Sequence, residues 1–472
     1  MNKKLNKIVF FDYDENYELL FHYPTYNMLK IEKYYKRVIS SILNGDKDSS
    51  IIETERISEE KLKEFKKTIQ DSFLGTNFNF NESNHELTRI TFLVTTNCNL
   101  KCRYCYANEG SYNYPAINMS REIAKKVINY FTTTHGDIPN VMFFGGETLI
   151  NIDVIEFICN EFKELYSKKI ITLIPNYTLI TNGTLINKKA LKVIEENQIG
   201  ITVSIDGDKA INDKLRVYKN GKGTFDTIIK NIKKLQKILP EEGVNYEATY
   251  TNLHEKMGIS TESVLEKIEE LTGIKNGVII PVKSIEGIND YTPNYDIEDY
   301  TYIDLEERSW EKLENGEKIE DTEFTALINR FIEKRIPKYI CSIGYEAFTI
   351  APNGDIFPCH MLTDAKLDNL KITNIQEPNN IISANIKDFK EKLLILRKSK
   401  NPQCLNCYAI GLCGFCPAMD IIDNGFKIPE NFDNYCIKAR ENAEHFIVRM
   451  AKNREDKVKW ENMQKSIELT FS

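Results

Sequence analysis

The sequence has no apolar run that approaches the roughly 20 residues a membrane-spanning helix needs, so none of its 472 residues reads as a transmembrane segment. A secretory leader is also missing. Met1-Asn2-Lys3-Lys4 carries the positive charge of one, but the apolar stretch behind it, Ile8-Val9-Phe10-Phe11, ends at Asp12 and is too short. Nor is there a basic excess: 62 Lys and Arg stand against 69 Asp and Glu, a net charge of −7. That leaves no electrostatic footprint for nucleic acid. Internal repeats and low-complexity tracts are absent too. Together these absences predict a cytoplasmic protein with no membrane span and no nucleic-acid partner.

Cysteine, by contrast, is plentiful, with eleven in the chain. Disulfides are rare in a reducing compartment, where clustered cysteines more often bind metal or do catalysis. Ten of the eleven fall into groups, and only Cys159 stands alone. It lies on the apolar side of a predicted helix, and free cysteine is among the most buried residue types, so Cys159 is assigned to the core.

The length suggests two to four domains. In residues 1–85, three strand-like runs at 7–11, 17–21 and 27–31 read as a β-meander. A helix pattern follows, with Tyr35, Val38, Ile39 and Ile42 on one face and Asn44-Gly45 as its stop. Charged helical sequence at 57–73 and a polar stretch through Asn84 complete the region. Across 86–282, strands at 89–96, 140–144, 177–181, 200–205, 245–251 and 276–282 alternate with helical periodicity. Six βα units imply an α/β fold, a parallel sheet curled into an incomplete barrel with its chemistry at the C-terminal strand ends. Residues 283–335 are acidic and read as a bridging segment with a helix at 325–334. Seven cysteines fall in 336–440, and 441–472 belong to a charged closing helix that starts at Ile437. Its Ile447, Met450 and Val458 are expected to pack on the body.

The stretch 95–110 closes the first barrel strand and places Cys98, Cys102 and Cys105 in the spacing CxxxCxxC. Three thiolates so spaced can hold three irons of a 4Fe–4S cluster, which normally takes four cysteines, leaving one iron open for chemistry. The competing reading is structural or zinc-binding cysteines, but zinc wants a fourth ligand nearby and none is there. This spacing, the strand before it and Tyr104 beside the last cysteine resemble the radical S-adenosylmethionine (SAM) superfamily. The resemblance implies a partial (β/α)6 TIM-like barrel and gives roles to the strand ends. Gly145-Gly146-Glu147-Thr148 reads as a turn on its own; two glycines let backbone approach a ligand, and the Glu can accept from an ammonium. It resembles the Gly-Gly-Glu-Pro motif that holds the amino group of SAM, with Thr148 in place of the usual proline. Thr181-Asn182-Gly183 and Ser204-Ile205-Asp206-Gly207 are common strand endings singly. Together they resemble the ribose- and carboxylate-binding positions, which makes Asn182, Ser204 and Asp206 SAM contacts beside Tyr104. Arg216 stands where relatives often place a cation near the SAM carboxylate; by residue type alone, a solvated surface arginine is equally expected.

Farther on, Cys341 and Cys359 flank a predicted hairpin at 348–351 and 355–357, with Gly354 in its turn. Cys404, Cys407, Cys413, Cys416 and Cys436 follow. Neighbouring CxxC pairs suggest a zinc ribbon, yet four-coordinate zinc sites use four or eight cysteines, not seven. The order resembles the SPASM domain, which carries two auxiliary 4Fe–4S clusters, with two residues instead of three between Cys413 and Cys416. By that resemblance Cys404, Cys407, Cys413 and Cys436 fully ligate the cluster farther from SAM. Cys341, Cys359 and Cys416 then hold the nearer one with an iron left open. Thiolates suit iron–sulfur clusters, so a substrate cysteine is a natural eighth ligand.

The resemblance as a whole is to radical SAM/SPASM peptide maturases of the thioether-forming, sactipeptide and ranthipeptide type. It implies three 4Fe–4S clusters, SAM, a cysteine-containing precursor peptide with a leader, and a one-electron reductant such as flavodoxin or ferredoxin. Residues 1–85 resemble a winged-helix-like peptide-recognition domain that adds a leader to a sheet edge; the alternative is a packing extension of the barrel. A second reading is an anaerobic sulfatase-maturing, formylglycine-forming enzyme. The long preface and the lack of a fourth cysteine just before Cys341 count against it. A zinc-stabilised binding protein leaves the first three cysteines unexplained at a barrel mouth. No catalytic base is singled out; His360 and Asp364, just past Cys359, are polar loop residues without an assigned role.

Overall fold

The computed structural model describes residues 7–73, 78–80, 87–282, 291–293, 301–319, 321–418, 421–422 and 432–471. The polar stretch at 81–86, with the expected boundary at 85, and most of 283–300 lie outside the described residues.

Alternating apolar residues build the first sheet. Strands β1 (Ile8–Asp12), β2 (Tyr17–His22) and β3 (Asn27–Glu32) form the expected antiparallel meander in that order. Successive side chains in a strand point to opposite faces, and both faces are covered. Ile8, Phe10, Leu20, Leu29 and Ile31 meet the helices Lys36–Asn44, Asp48–Glu55 and Glu59–Ser72. The middle helix was not expected; its short polar run buries only Ile51. Val9, Phe11, Leu19 and Phe21 face the other way, into a core shared with the far end of the chain.

β4 (Arg89–Thr95), β5 (Asn140–Gly145), β6 (Asn176–Thr181), β7 (Gly200–Ser204), β8 (Val244–Tyr250) and β9 (Gly277–Pro281) match the six predicted strands to within a residue or two. Each is parallel to the next in sequence. Because connections of this kind share one handedness, sequential order lays the intervening helices on a single face and forms the wall of a partial barrel. Ile90, Phe92, Val141, Phe143, Leu179, Ile201, Val203 and Tyr246 pack under those helices, where Cys159 is fully buried as expected. Alternate residues, among them Ser204 on β7 and Glu247 on β8, are half-buried on the concave side.

The predicted hairpin is present as β10 (Ala347–Ile350) and β11 (Asp355–Phe357), followed by β12 (Thr373–Asn374). β10 lies parallel to β4, which extends the sheet to nine strands in the order β12-β11-β10-β4-β5-β6-β7-β8-β9. This fusion of the cysteine-rich region with the barrel was not legible beforehand.

The bridging segment contains two helices, Thr301–Asn315 and Thr322–Ile332, of which only the second was expected. Trp310, Leu313, Phe324, Ile328 and Phe331 from them pack with Phe446, Ile447 and Met450. The closing helix is corrected: it is two helices, Phe432–Glu455 and Lys457–Phe471. Asp456 breaks it by accepting from the N–H groups of Val458 and Lys459 at 3.0 and 3.1 Å. The turn takes Val458 off the packed stripe, leaving it 68% exposed, whereas Ile447 and Met450 are buried as expected. Among the described residues, no helix is long and apolar enough to cross a membrane.

The shared core seats the N-terminal meander on the loop from Cys404 to Cys413. Lys7 Nζ donates to Asn406 Oδ1 at 2.7 Å and to Leu405 O, and the Phe11 ring meets Tyr408 edge-on at 5.1 Å. The Tyr26 hydroxyl lies over Gly411 so closely that a Cβ there would stand 1.3 Å from its oxygen. Gly411→Ala should therefore cost about 1–3 kcal/mol by overpacking. The expected result is a lower unfolding midpoint and release of an N-terminal fragment in limited proteolysis; wild-type proteolysis would show that the contact does not hold the meander in place.

Candidate metal centre and cofactor site

The loop beyond β4 is pinned by backbone on two sides. Lys101 and Arg103 N–H groups donate to Val217 O and Leu215 O at 2.8 and 2.9 Å. Gly146 and Glu147 N–H groups donate to Thr95 O and Asn97 O at 3.0 and 2.8 Å. Glycine is required at this crossing: a Cβ on Gly110, at φ 84°, would stand 2.6 Å from Gly146 Cα, and one on Gly146 would stand 2.5 Å from Asn97 O. The paired glycines thus bring the cysteine loop against the end of β5.

Cys98, Cys102 and Cys105 are half-buried free thiols. Burial pushes Cys98 up to about 12 and Cys102 up to about 11, the latter opposed by the Arg216 charge. Burial also raises Cys105, against three backbone N–H groups, of Ala107, Gly110 and Glu109, that favour its thiolate. Donors aimed at a sulfur stabilise a charged, metal-bound thiolate. Among the described residues, no three His, Cys, Asp or Glu side chains converge as around a single ion. A cubane takes its ligands on separate irons, so the donor set fits a cluster better than mononuclear zinc.

Glu147 is buried, and three protein donors hold its carboxylate. Oε1 accepts from Leu149 N at 3.0 Å and Thr181 Oγ1 at 2.7 Å, and Oε2 accepts from Asn182 N at 2.8 Å. A carboxylate offers about four acceptor positions, which leaves one for a ligand ammonium. Thr148 donates its hydroxyl to Ile180 O at 2.6 Å, a tie to β6 that the family's proline has no donor to make. Asn182 donates to Asn99 Oδ1 at 2.9 Å, comes to 3.9 Å from Cys98 Sγ, and accepts from Thr184. Gly145, at the end of β5, lies against Thr95.

Beside this stands a buried trio. Tyr104 donates its hydroxyl to Asp206 Oδ2 at 2.6 Å and accepts from Arg216 Nη1 at 2.5 Å, with Arg216 3.7 Å from Asp206 Oδ1. Thr249 N donates to Asp206 Oδ1 at 3.0 Å, and a His254 ring nitrogen lies 2.9 Å from Asp206 O. Arg216 is only 7% exposed, which removes the surface-arginine reading. Its buried Nε has no acceptor among the described residues, a donor left over for a carboxylate ligand. Ser204 ends β7 opposite Glu247 in register. The sequence reading missed Glu247 and His254. Glu247 was recoverable from strand alternation with Asn245 and Thr249; burial raises its carboxyl pKa.

Cys159 apart, the remaining cysteines lie in two sets. Cys341 and Cys359 each lie in the field of Cys416, while Cys404 lies in the fields of Cys413, Cys436 and Cys407. The loop after Cys359 folds onto the first cysteine loop: Asn113 donates to Asp364 Oδ2 at 2.6 Å and Ala365 N to Tyr112 O at 3.0 Å. The His360 ring lies 4.9 Å from that of Phe144 at the end of β5. Asp364 and His360 therefore stand where the loop past Cys359 meets the first cysteine loop and the end of β5. The Tyr106 hydroxyl lies 3.4 Å from that of Tyr112 and within the fields of Cys105, Glu247 and Cys359.

The radical SAM superfamily is matched over residues 92–254, and the SPASM iron–sulfur cluster-binding domain over 341–408. A cysteine-type anaerobic sulfatase-maturating enzyme of Clostridium novyi (strain NT) is 27% identical over 340 residues, covering 68% of this chain and 84% of the relative. The antilisterial bacteriocin subtilosin biosynthesis protein AlbA of Bacillus subtilis (strain 168) is 23% identical over 332 residues, 68% of this chain and 67% of the relative. Among solved structures, native anSMEcpe with bound AdoMet and Cp18Cys peptide matches with a TM-score of 0.59 at 20% identity, covering 78% of this chain and 99% of that one. That likeness is one of fold. SAM and 4Fe–4S clusters are the cofactors that these two domains imply. The chain thus carries a radical SAM domain followed by a SPASM iron–sulfur cluster-binding domain.

Proposed function

We propose that the protein is a peptide maturase that joins cysteine sulfur to carbon in a ribosomally made precursor peptide. One observation carries the reading. Of eleven cysteines, three follow β4, four (Cys404, Cys407, Cys413 and Cys436) form one group, and Cys159 is sealed in the core, so three remain for the nearer auxiliary group. No cysteine is left to complete that group, and a substrate thiolate fits the open position. The relatives support a peptide substrate, since one is a bacteriocin biosynthesis protein and another structure holds a cysteine peptide.

When loaded, the first site supplies a 5′-deoxyadenosyl radical from SAM, which removes a hydrogen atom from an unactivated carbon. The chain's own residues bind and orient. Cys98, Cys102 and Cys105 hold the SAM cluster; Gly145, Gly146, Glu147 and Thr148 receive the amino group of SAM. Asn182, Ser204, Asp206, Arg216 and Tyr104 line its ribose and carboxylate side. Cys341, Cys359 and Cys416 hold the nearer auxiliary cluster, and Cys404, Cys407, Cys413 and Cys436 the farther one. The electron that this chemistry needs would come from an external one-electron donor, a flavodoxin or ferredoxin, in the cytoplasm.

The N-terminal region takes the leader. With both faces of its sheet covered, only the edges β1 and β3 are left for a peptide, which suits strand addition. A second reading, formylglycine formation in a sulfatase, is favoured by the Clostridium novyi relative. The product decides between them. A thioether link removes two hydrogens and keeps the sulfur, whereas formylglycine formation from cysteine loses it.

Purified without oxygen, the protein should hold on the order of twelve irons, three cubanes' worth. Replacing Cys98, Cys102 and Cys105 together by Ala should lower that by about a third and abolish SAM cleavage; surviving cleavage would remove the first motif from the reaction. Arg216→Met should weaken SAM binding about tenfold or more, the worth of a charge-assisted hydrogen bond. Isothermal titration measures this, and unchanged affinity would take Arg216 out of the SAM site. Given a cysteine-containing precursor peptide with its leader, the enzyme should yield a product lighter by two hydrogens per link with all sulfur retained. A precursor stripped of its leader should lose most of that modification while SAM cleavage continues; equal modification would end the recognition role.

A further inference from the structure

The ammonium of Lys398 is buried without a carboxylate. The residue is 1% exposed, and Nζ donates to Ile410 O at 2.7 Å and Cys413 O at 2.6 Å. No Asp or Glu among the described residues pairs with it. The charged or ionisable groups whose fields reach it are Cys413, Cys404 and Cys407, together with Arg330, which has the same sign. An unpaired buried cation costs several kcal/mol, so such charges are retained only where negative charge compensates them. Here the groups that can supply it are the cysteine sulfurs, which become thiolates when they ligate metal. Lysines near the same loop differ: Lys400, two residues on, is exposed, and Lys7 reaches the loop from a partly solvated side. Their charges are screened by water and salt.

The placement is rigid. Lys398 opens the short turn Lys398–Lys400, and its N–H donates to Lys338 O at 3.0 Å. The next residue after that turn, Asn401, caps the helix Pro402–Leu405 that carries Cys404, accepting from Gln403 N at 2.9 Å. The ammonium is thus tied to Cys404 through the chain and to Cys413 through its carbonyl.

We infer that Lys398 is the fixed countercharge of the auxiliary cluster held by Cys404, Cys407, Cys413 and Cys436, and that it raises the reduction potential of that cluster. The inference rests on the cluster assignment proposed above. Net charge and burial around a cluster are levers on its potential. A cubane with four thiolates is anionic in both redox states and more so when reduced, so a nearby cation favours the reduced form. Lys398 therefore makes the far cluster easier to reduce. It touches neither SAM nor substrate and is a positioning residue for charge.

The test is an anaerobic redox titration of the holoenzyme followed by electron paramagnetic resonance. Cys404→Ala identifies which midpoint belongs to the far cluster. If the Cys404→Ala variant loses no signal and no iron relative to wild type, the cluster assignment fails and the inference with it. In Lys398→Met with full iron content, the far-cluster midpoint should move to lower potential while the other two stay, and Lys398→Arg should restore it. An unmoved midpoint overturns the role of Lys398 and leaves the cluster assignment standing. If Lys398→Met loses the far cluster, retention of its iron by Lys398→Arg supports the countercharge, whereas loss in both variants shows a packing role and overturns it.

Discussion

The parallel pairing of β10 with β4 joins what would otherwise be two independent cysteine-bearing modules. It aligns Ala347 with Arg89 and Ile350 with Phe92, across some 260 residues of chain, and Glu346 O anchors it by accepting from the N–H groups of Thr88 and Arg89 at 2.7 and 3.1 Å. A contact this distant in sequence carries a large loop-closure cost, which burial on both faces of β4 offsets. Phe92 lies under the outer helices, while Leu93 meets Tyr112, Ala351 and Phe357 on the concave side. Once the strands are paired, the loop past Cys359 has only to cross to Tyr112 and Asn113 to bring the second cysteine group to the first. The distance between the two chemical centres is thus set by a sheet, not by a flexible domain linker.

That pairing also marks where the sequence stops being readable. The six barrel strands were visible because each is a short β-branched run between amphipathic helices, and the cysteine groups because spacing is a property of the chain itself. The parallel partner of β4 was not visible, since nothing in Ala347–Ile350 distinguishes pairing with β4 from a free hairpin edge. Val458 failed for a local reason, because Asp456 competes for the N–H groups that would have continued the helix. The burial of Arg216, which residue type alone left open to the surface, and of Lys398, which carried no sequence signal, is set by the tertiary fold. Lys398 and Lys400 stand two residues apart in one basic run, and only the fold makes one buried and the other exposed.

The N-terminal region is a similar case. Its meander was legible down to its turns, yet its relation to the rest was not. Tyr26 over Gly411 and Phe11 against Tyr408 place its sheet directly on the loop that carries Cys404, Cys407 and Cys413. A segment proposed to recognise a leader therefore shares a core with the loop that carries these three cysteines, and neither can shift without disturbing the other. This follows from close packing: a tyrosine hydroxyl seated on a glycine leaves no slack to absorb a displacement.

The first cysteine loop is held by groups that carry no charge. Burial favours neutral thiols at Cys98 and Cys102, so repulsion between them does not shape the loop. Its shape must come from groups that do not titrate: the N–H donors of Lys101 and Arg103 on Val217 O and Leu215 O, the Gly110–Gly146 crossing, and Asn182 bound to Asn99. These hold the loop from the ends of β5 and β6 and from the segment beside Arg216. Assembly of a cluster then requires loss of protons from the thiols but little movement of the backbone. The same strand ends that would receive SAM are the ones that preform the cluster loop, which is why the two binding sites cannot be separated on this fold.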